Sequence, residues 1–171
     1  LVVNFTPTII NQWPAYEASA TIVLDNPPMK SVMAESYSYF PSEGQYGTIC
    51  FEDSWPNIGD YDFNDLVIDY NVRATYNEDY LITQVRMQLF LRATGASNDN
   101  SFGISFRFPW SYQGPYVDIS SVTVNGQPVN AENTNYPSYI IIPSTKAVMP
   151  VYNTFMSNPF DYPVEFVVLI T

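Results

Sequence analysis

The 171-residue chain contains no histidine and a single cysteine, Cys50. Without histidine, Ser-His-Asp and Cys-His catalysis are excluded, together with histidine-ligated metal sites. One cysteine cannot form an internal disulfide, so cysteine usage leaves the redox compartment undecided. Because Cys50 lies in the segment 46–51, which is typical of a strand, we expect its thiol to be a small buried group rather than a nucleophile.

Basic residues are also scarce: six Lys and Arg stand against 17 Asp and Glu, which gives a formal net charge of −11. Nucleic acids and anionic membrane surfaces bind proteins through clustered Lys and Arg, so neither is expected as a partner. No apolar run approaches the roughly 18 residues of a membrane-spanning helix. Hydrophobic residues still make up 46% and aromatic residues 16% of the chain. This content favours a folded domain over disorder.

Apolar and polar residues alternate with a period of two along much of the chain. The clearest segments are 66–73, 81–92, 102–108 and 164–170. Such alternation is typical of strands with one face in a core, and Asn125-Gly126 is a hairpin signal. We predict an all-β fold with a single domain over residues 1–171, an antiparallel β-sandwich of the jelly-roll or Greek-key kind. We expect the final apolar strand, 164–171, either to lie inside a sheet or to continue in a longer protein.

Oxygen-bearing side chains are concentrated in the segment 51–65, which reads FEDSWPNIGDYDFND. Alternate residues of an extended segment point the same way, so one side should gather oxygen ligands while Tyr61 and Phe63 anchor the loop to the core. Hard oxygen ligands without imidazole favour calcium over zinc or copper. We therefore predict a structural Ca²⁺ site. Its expected ligands are Asp60, Asp62, Asn64 and Asp65, with Glu52 or Asp53 completing the shell.

The acidic segment resembles the start of an EF-hand loop, but two positions exclude that motif. Asp65 stands where the loop needs glycine, and Asn71 stands where it needs a bidentate glutamate. A calcium loop of another architecture stays open, as does another hard cation. The alternative is an Asx-rich turn whose side chains bind their own backbone.

Two other sets of residues are candidates for binding. Trp110, Tyr112 and Tyr116 lie in a loop-like segment and form a candidate ligand platform, on which sugar rings could stack. The segment 97–100 offers oxygen atoms for a second ion site, although a polar hairpin loop is the favoured interpretation.

Four arginines fall on the polar faces of predicted strands: Arg73, Arg86, Arg92 and Arg107. Cross-strand ion pairs are the expected explanation for them. Asp69 lies on the polar face of the segment 66–73, so it is a candidate partner for one of these arginines.

Two ordered motifs stand out in the sequence. They comprise Phe51-Glu52-Asp53, Trp55-Pro56, 59–65 (GDYDFND), Val67 and Tyr70, followed by 89–97 (LFLRATGAS) and 100–104 (NSFGI). In this order they resemble the LruC-type domain, a bacterial family of unknown function found in secreted and lipid-anchored surface proteins of Gram-negative bacteria. Ser54 departs from the family pattern, which more often has a large apolar residue before Trp-Pro. The chain also ends earlier than the family usually does, so we expect a C-terminal part to be missing.

The resemblance implies export and a role at the cell surface, with no established activity. We therefore expect a non-catalytic β-sandwich, secreted or lipid-anchored at the outer membrane, that acts in adhesion, surface assembly or ligand binding. Its expected partner is a cell-surface protein or a glycan, and a carbohydrate-binding module is the alternative. A glycoside hydrolase needs only two carboxyl groups, but its general acid needs an apolar setting, whereas crowding around a cation keeps carboxylates ionised.

Overall fold

The computed structural model describes residues 2–8, 21–23, 35–52, 60–107, 118–132, 134, 136–150 and 162–171. Within these ranges the chain forms eleven strands and one short helix, α1 (Thr145–Val148). The strands are β1 (Val2–Thr8), β2 (Thr21–Val23), β3 (Ser36–Phe40), β4 (Gly47–Phe51), β5 (Leu66–Tyr76), β6 (Ile82–Ala93), β7 (Ser101–Arg107), β8 (Val122–Val124), β9 (Gln127–Pro128), β10 (Ser138–Ile142) and β11 (Val164–Ile170).

The described strands form two antiparallel sheets. The smaller sheet has the order β10-β7-β1-β2, and the larger has the order β3-β5-β6-β11-β8-β9. Strand β4 also pairs with β5, over residues 66–70, while β3 pairs with residues 72–76 of the same strand. Because β6 occupies the other edge of β5, β3 and β4 follow one another along one sheet edge. The predicted all-β sandwich is confirmed.

The hydrophobic core lies between the two sheets. Strands β5 and β6 contribute alternate residues that are fully buried, and β7 and β10 contribute residues from the opposite sheet. The rings of Phe51 on β4 and Phe102 on β7 meet across the sandwich, with their centroids 6.5 Å apart. Each such side chain stabilises the fold by about 1.5–3 kcal/mol through burial. The core includes Leu66, Ile68, Val72, Met87, Leu89, Leu91, Phe102, Ile104, Phe106, Ile141 and Ile142.

The last described strand is an interior strand of the larger sheet. β11 pairs with β6 on one side and with β8 on the other, and Val168 at its centre is fully buried. The expectation that this apolar segment lies inside a sheet is therefore confirmed. The adjoining β8–β9 hairpin turns at Asn125 (φ 50°) and Gly126 (φ 78°), the left-handed pair that a type I′ turn requires.

A tight corner at residues 41–46 separates β3 from β4. Asn71 on β5 holds this corner, because its side-chain amide donates to the backbone oxygens of Ser42 (2.8 Å) and Gln45 (2.6 Å). The corner closes with a backbone hydrogen bond of 3.1 Å from Gln45 to Ser42. Gly44 has a φ of 68°, which glycine adopts at little cost. Strand pairing can then resume in β4.

The expectation that Cys50 is buried is wrong, because its thiol lies on the exposed side of β4. Its neighbour Phe51 is buried and Ile49 is half-buried, so alternation along the strand directs Cys50 away from the core. The apolar character of the segment identified the strand but did not decide which residues face inward.

Candidate metal centre

Strand pairing brings the two ends of the acidic segment together. Phe51 at the end of β4 lies opposite Leu66 at the start of β5, so Glu52 and the residues before Leu66 leave the sheet side by side. Glu52, Asp60 and Asp62 each place one carboxylate oxygen within 4.8 Å of the others. We call these three residues the carboxylate cluster. Glu52 is half-buried, whereas Asp60 and Asp62 are exposed.

The backbone at the carboxylate cluster is not extended, contrary to the expectation from alternation. Tyr61 and Phe63 have φ values of 58° and 54°, a left-handed conformation that costs a non-glycine residue roughly 1–2 kcal/mol. Their rings do not anchor the loop in the core, since 65% of Tyr61 and 52% of Phe63 is exposed. The carboxylates converge because Tyr61 and Phe63, which alternate with the polar residues, are left-handed. The predicted extended backbone is therefore wrong.

Hydrogen bonds hold this conformation in place. The backbone N–H of Phe63 donates to Glu52 Oε1 at 2.7 Å, which joins the two arms of the segment. The backbone N–H of Asn64 donates to Asp62 Oδ1 at 3.2 Å, and the side-chain amide of Asn64 donates to Asp62 Oδ2. These contacts are those of an Asx turn, so the turn expected as an alternative forms part of the carboxylate cluster.

The other predicted ligands occupy different positions. The side-chain amide of Asn64 is directed to Asp62, and Asp65 is not a member of the carboxylate cluster. Their backbone oxygens instead accept hydrogen bonds from the loop between β6 and β7. The backbone N–H of Gly95 donates to the Asn64 oxygen at 2.9 Å, and that of Ala96 donates to the Asp65 oxygen at 3.5 Å. Asp53 lies outside the described residues.

The carboxylate cluster gathers negative charge without a described basic partner. Across the described ranges, the one ion pair joins Arg92 to Asp69 (3.3 Å), and no Lys or Arg pairs with the cluster. Two unit charges 4.8 Å apart repel by about 0.9 kcal/mol in a water-like dielectric. Three hard oxygen donors fit a calcium ion, which takes about 6–8 oxygen ligands and completes its shell with carbonyls or water. The donor set therefore suits a hard divalent cation.

The predicted ion pair between Asp69 and an arginine is confirmed by its contact with Arg92, and Thr48 Oγ1 also donates to Asp69 at 2.6 Å. For Arg73 and Arg86 the expectation of ion pairs is wrong, because no acid among the described residues pairs with either of them. The two arginines instead lie opposite each other on β5 and β6. The side chain of Arg107 lies outside the described residues.

The segment 97–100 is not a hairpin loop, because β6 and β7 belong to different sheets and the chain crosses between them here. Asp99 accepts hydrogen bonds from Ser144 Oγ (2.7 Å) and from the backbone N–H of Lys146 (3.1 Å). These bonds, the one from Ser144 foremost, lower the pKa of the Asp99 carboxyl group. Ser144 also caps α1 by accepting from Ala147 N at 3.0 Å. Asp99 thus stabilises the start of α1, a role that the polar segment 97–100 did not indicate in the sequence.

The candidate platform of Trp110, Tyr112 and Tyr116 lies outside the described residues. In the part of the chain that is described, no helix is long and apolar enough to cross a membrane. Comparisons of the chain with family models, curated proteins and solved structures return no match. The resemblance to the LruC-type domain therefore rests on its two motifs alone.

Proposed function

We propose that the protein is an exported, non-catalytic β-sandwich of the cell surface that binds calcium and acts in adhesion, surface assembly or ligand binding. The observation that carries the calcium proposal is the carboxylate cluster, three acids within 4.8 Å of one another. Export and a surface location, secreted or lipid-anchored, rest on the resemblance to the LruC-type domain.

Calcium would order the end of the sandwich at which three segments meet. The ion would join Glu52, which follows β4, to Asp60 and Asp62, which precede β5. The same stretch accepts hydrogen bonds from Gly95 and Ala96 in the loop that crosses to the smaller sheet. Fixing the acidic segment would therefore stiffen the connection between both sheets. A site with few charged ligands and open access to water should bind calcium weakly, with a Kd of about 10⁻⁴ to 10⁻³ M.

A structural role for the carboxylates is favoured over a catalytic one. Asp60 and Asp62 are exposed, whereas the general acid of a glycoside hydrolase needs an apolar enclosure. Glu52 and Asp62 already accept hydrogen bonds that fix the backbone of the loop.

Calorimetric titration of the purified protein with calcium tests the proposal, with magnesium titrated in parallel. We expect saturable calcium binding that Asp62→Ala abolishes, because this change removes a ligand and the hydrogen bonds that orient Asn64. Asp79→Ala is the matched control, since Asp79 is an exposed acid in the β5–β6 turn. Equal calcium binding by the Asp62 variant, or no binding up to about 10 mM calcium, would refute the site.

A further inference from the structure

The outer face of the larger sheet carries two arginines side by side. Residues of β5 and β6 that alternate with the buried ones point away from the core, and Arg73 and Arg86 are direct cross-strand partners among them. Tyr39 on β3 lies opposite Arg73, and Leu169 on β11 lies opposite Arg86. The row continues through Thr123 on β8 and Pro128 on β9, so six residues cross the sheet and the two positive charges are neighbours within the row.

This arrangement is unfavourable unless something negative offsets it. Like charges directly opposite each other on an antiparallel pair destabilise a sheet, since their Cβ atoms are about 4.5–5.5 Å apart. Neither Arg73 nor Arg86 forms an ion pair with any described residue. Asp69 lies four residues before Arg73 on the same strand, or roughly 13 Å away, and it pairs with Arg92. A chain with a net charge of −11 nevertheless places two of its six basic residues together.

Arg73 contacts an aromatic ring, and one of its donor atoms has no partner. Its guanidinium lies over the ring of Tyr37, 5.1 Å from the ring centroid, and its enclosed Nε has no hydrogen-bond partner. The hydroxyl of the same Tyr37 donates a hydrogen bond of 2.9 Å to the carboxylate of Glu35. Glu35 forms no ion pair with Arg73 in the described structure.

Aromatic rings flank the arginine row along the strands. Tyr37 is 41% exposed and Tyr46 is 42% exposed. Tyr46 extends from the 41–46 corner across β5, where its ring meets the ring of Phe90 edge-on at 5.4 Å and its hydroxyl donates to Gln88 at 2.8 Å. The Gln88 amide is engaged at both ends, because its Nε2 donates to Glu165 Oε1 at 2.5 Å. The exposed faces of the tyrosine rings are therefore the groups that could pack against the C–H faces of pyranose sugars.

We infer that this outer face binds an acidic oligosaccharide, with the carboxylate of a uronic acid bridging Arg73 and Arg86. Two guanidinium groups offer several donors to one carboxylate, and such charge-assisted bonds are roughly twice as strong as neutral ones. An extended peptide is less suited, because peptides that join a sheet pair with an edge strand and these arginines lie on interior strands. The inference does not depend on calcium, since the arginine pair lies on the sheet face rather than in the acidic segment.

Calorimetric titration with a galacturonic acid trisaccharide tests the inference, with the matching neutral galactose trisaccharide and a hexaglutamate peptide as comparison ligands. We expect the acidic sugar alone to bind, and Arg73→Gln and Arg86→Gln each to weaken it at least roughly tenfold, a loss of about 1.4 kcal/mol. Arg92→Gln is the control, because Arg92 is already paired with Asp69. Binding should persist in chelator and in Asp62→Ala, which separates this surface from the proposed calcium site.

Thermal melts of the unliganded variants separate loss of binding from loss of folding. Arg86→Gln removes the repulsion, so its melting temperature should equal or exceed that of the wild type. A variant that is as stable as the wild type and fails to bind supports the inference. The inference is overturned if the wild type does not bind the acidic sugar, or if both arginine variants bind it as tightly as the wild type does. It is also overturned if the wild type binds the neutral sugar as tightly as the acidic one, or prefers hexaglutamate to both.

Discussion

Replacing Asp60 by asparagine separates the charge of the carboxylate cluster from its hydrogen bonding. Glu52 and Asp62 accept hydrogen bonds from Phe63 and Asn64, whereas Asp60 accepts none from a described residue. Asp60→Asn therefore removes charge while leaving the contacts that shape the loop. The variant should be more stable than the wild type in chelator and should gain less stability from calcium, so the difference between the two proteins should shrink or reverse when calcium is added.

The size of each effect follows from the geometry. Asp60 takes part in two repulsive pairs with separations of at most 4.8 Å. Each is worth about 0.9 kcal/mol in a water-like dielectric and about 0.5 kcal/mol after screening at physiological salt. Removing both should stabilise the calcium-free protein by about 1 kcal/mol, or roughly 2–4 °C in melting temperature. At about 10 mM calcium, a Kd of 10⁻⁴ to 10⁻³ M would stabilise the wild type by about 1.4–2.7 kcal/mol.

Differential scanning calorimetry in chelator and in calcium measures both differences. The wild type should gain roughly 3–11 °C from calcium, and Asp60→Asn should gain less than half as much. Asp79→Asn controls for a general change in net charge, because it removes one negative charge in the β5–β6 turn. If Asp60→Asn melts no higher than the wild type in chelator, or keeps the full calcium response, the electrostatic account of the cluster is wrong.

Three further substitutions test the fold. Gly47→Ala would place a Cβ 2.6 Å from the ring of Tyr70, so chemical denaturation should show a loss of about 1–3 kcal/mol, and the same change should cost less when it is made in a Tyr70→Ala protein. Cys50→Ser should change the free energy of unfolding by less than about 0.5 kcal/mol, and the wild-type thiol should react with a thiol reagent in the native state; slow reaction would contradict its exposure. Ser144→Ala should cost about 1 kcal/mol at neutral pH. The part of this cost that comes from the cap on Ala147 should not change with pH. The part that comes from the bond to Asp99, whose pKa Ser144 lowers, should be present above pH ~4 and disappear as acid titration protonates Asp99; a difference that does not change with pH at all would exclude a contribution from the Asp99 bond.

Local signals in the sequence predicted individual strands correctly. Alternation identified β5, β6, β7 and β11, since a strand with one face in a core must repeat every second residue. Asn125 and Gly126 marked a turn because both adopt left-handed conformations readily. These features depend on a few neighbouring residues, so a single sequence contains them.

Features set by distant contacts could not be predicted in this way. Alternation does not say which strand lies beside which, so the separation of β6 from β7 into different sheets was missed. The apolar character of β4 does not decide which of its residues face inward, so the exposure of Cys50 was missed as well. The same limit applies to Arg73 and Arg86, whose opposition depends on the β5–β6 register. In the acidic segment, spacing predicted that Asp60 and Asp62 lie together, as they do in the structure. The extended backbone predicted for them is wrong, because Tyr61 and Phe63 are left-handed, a conformation that few aromatic residues adopt.

The corner at residues 41–46 limits how another molecule could extend the larger sheet. An uninterrupted outer strand would present one long row of hydrogen-bonding groups to a neighbouring chain. Here this edge of the sheet is divided into β3 and β4, with five residues each. The two hydrogen bonds from the Asn71 amide hold residues 41–46 out of line with both strands. A foreign strand could match only one short half at a time, so the same amide that shapes the corner also opposes open-ended stacking of copies into fibrils.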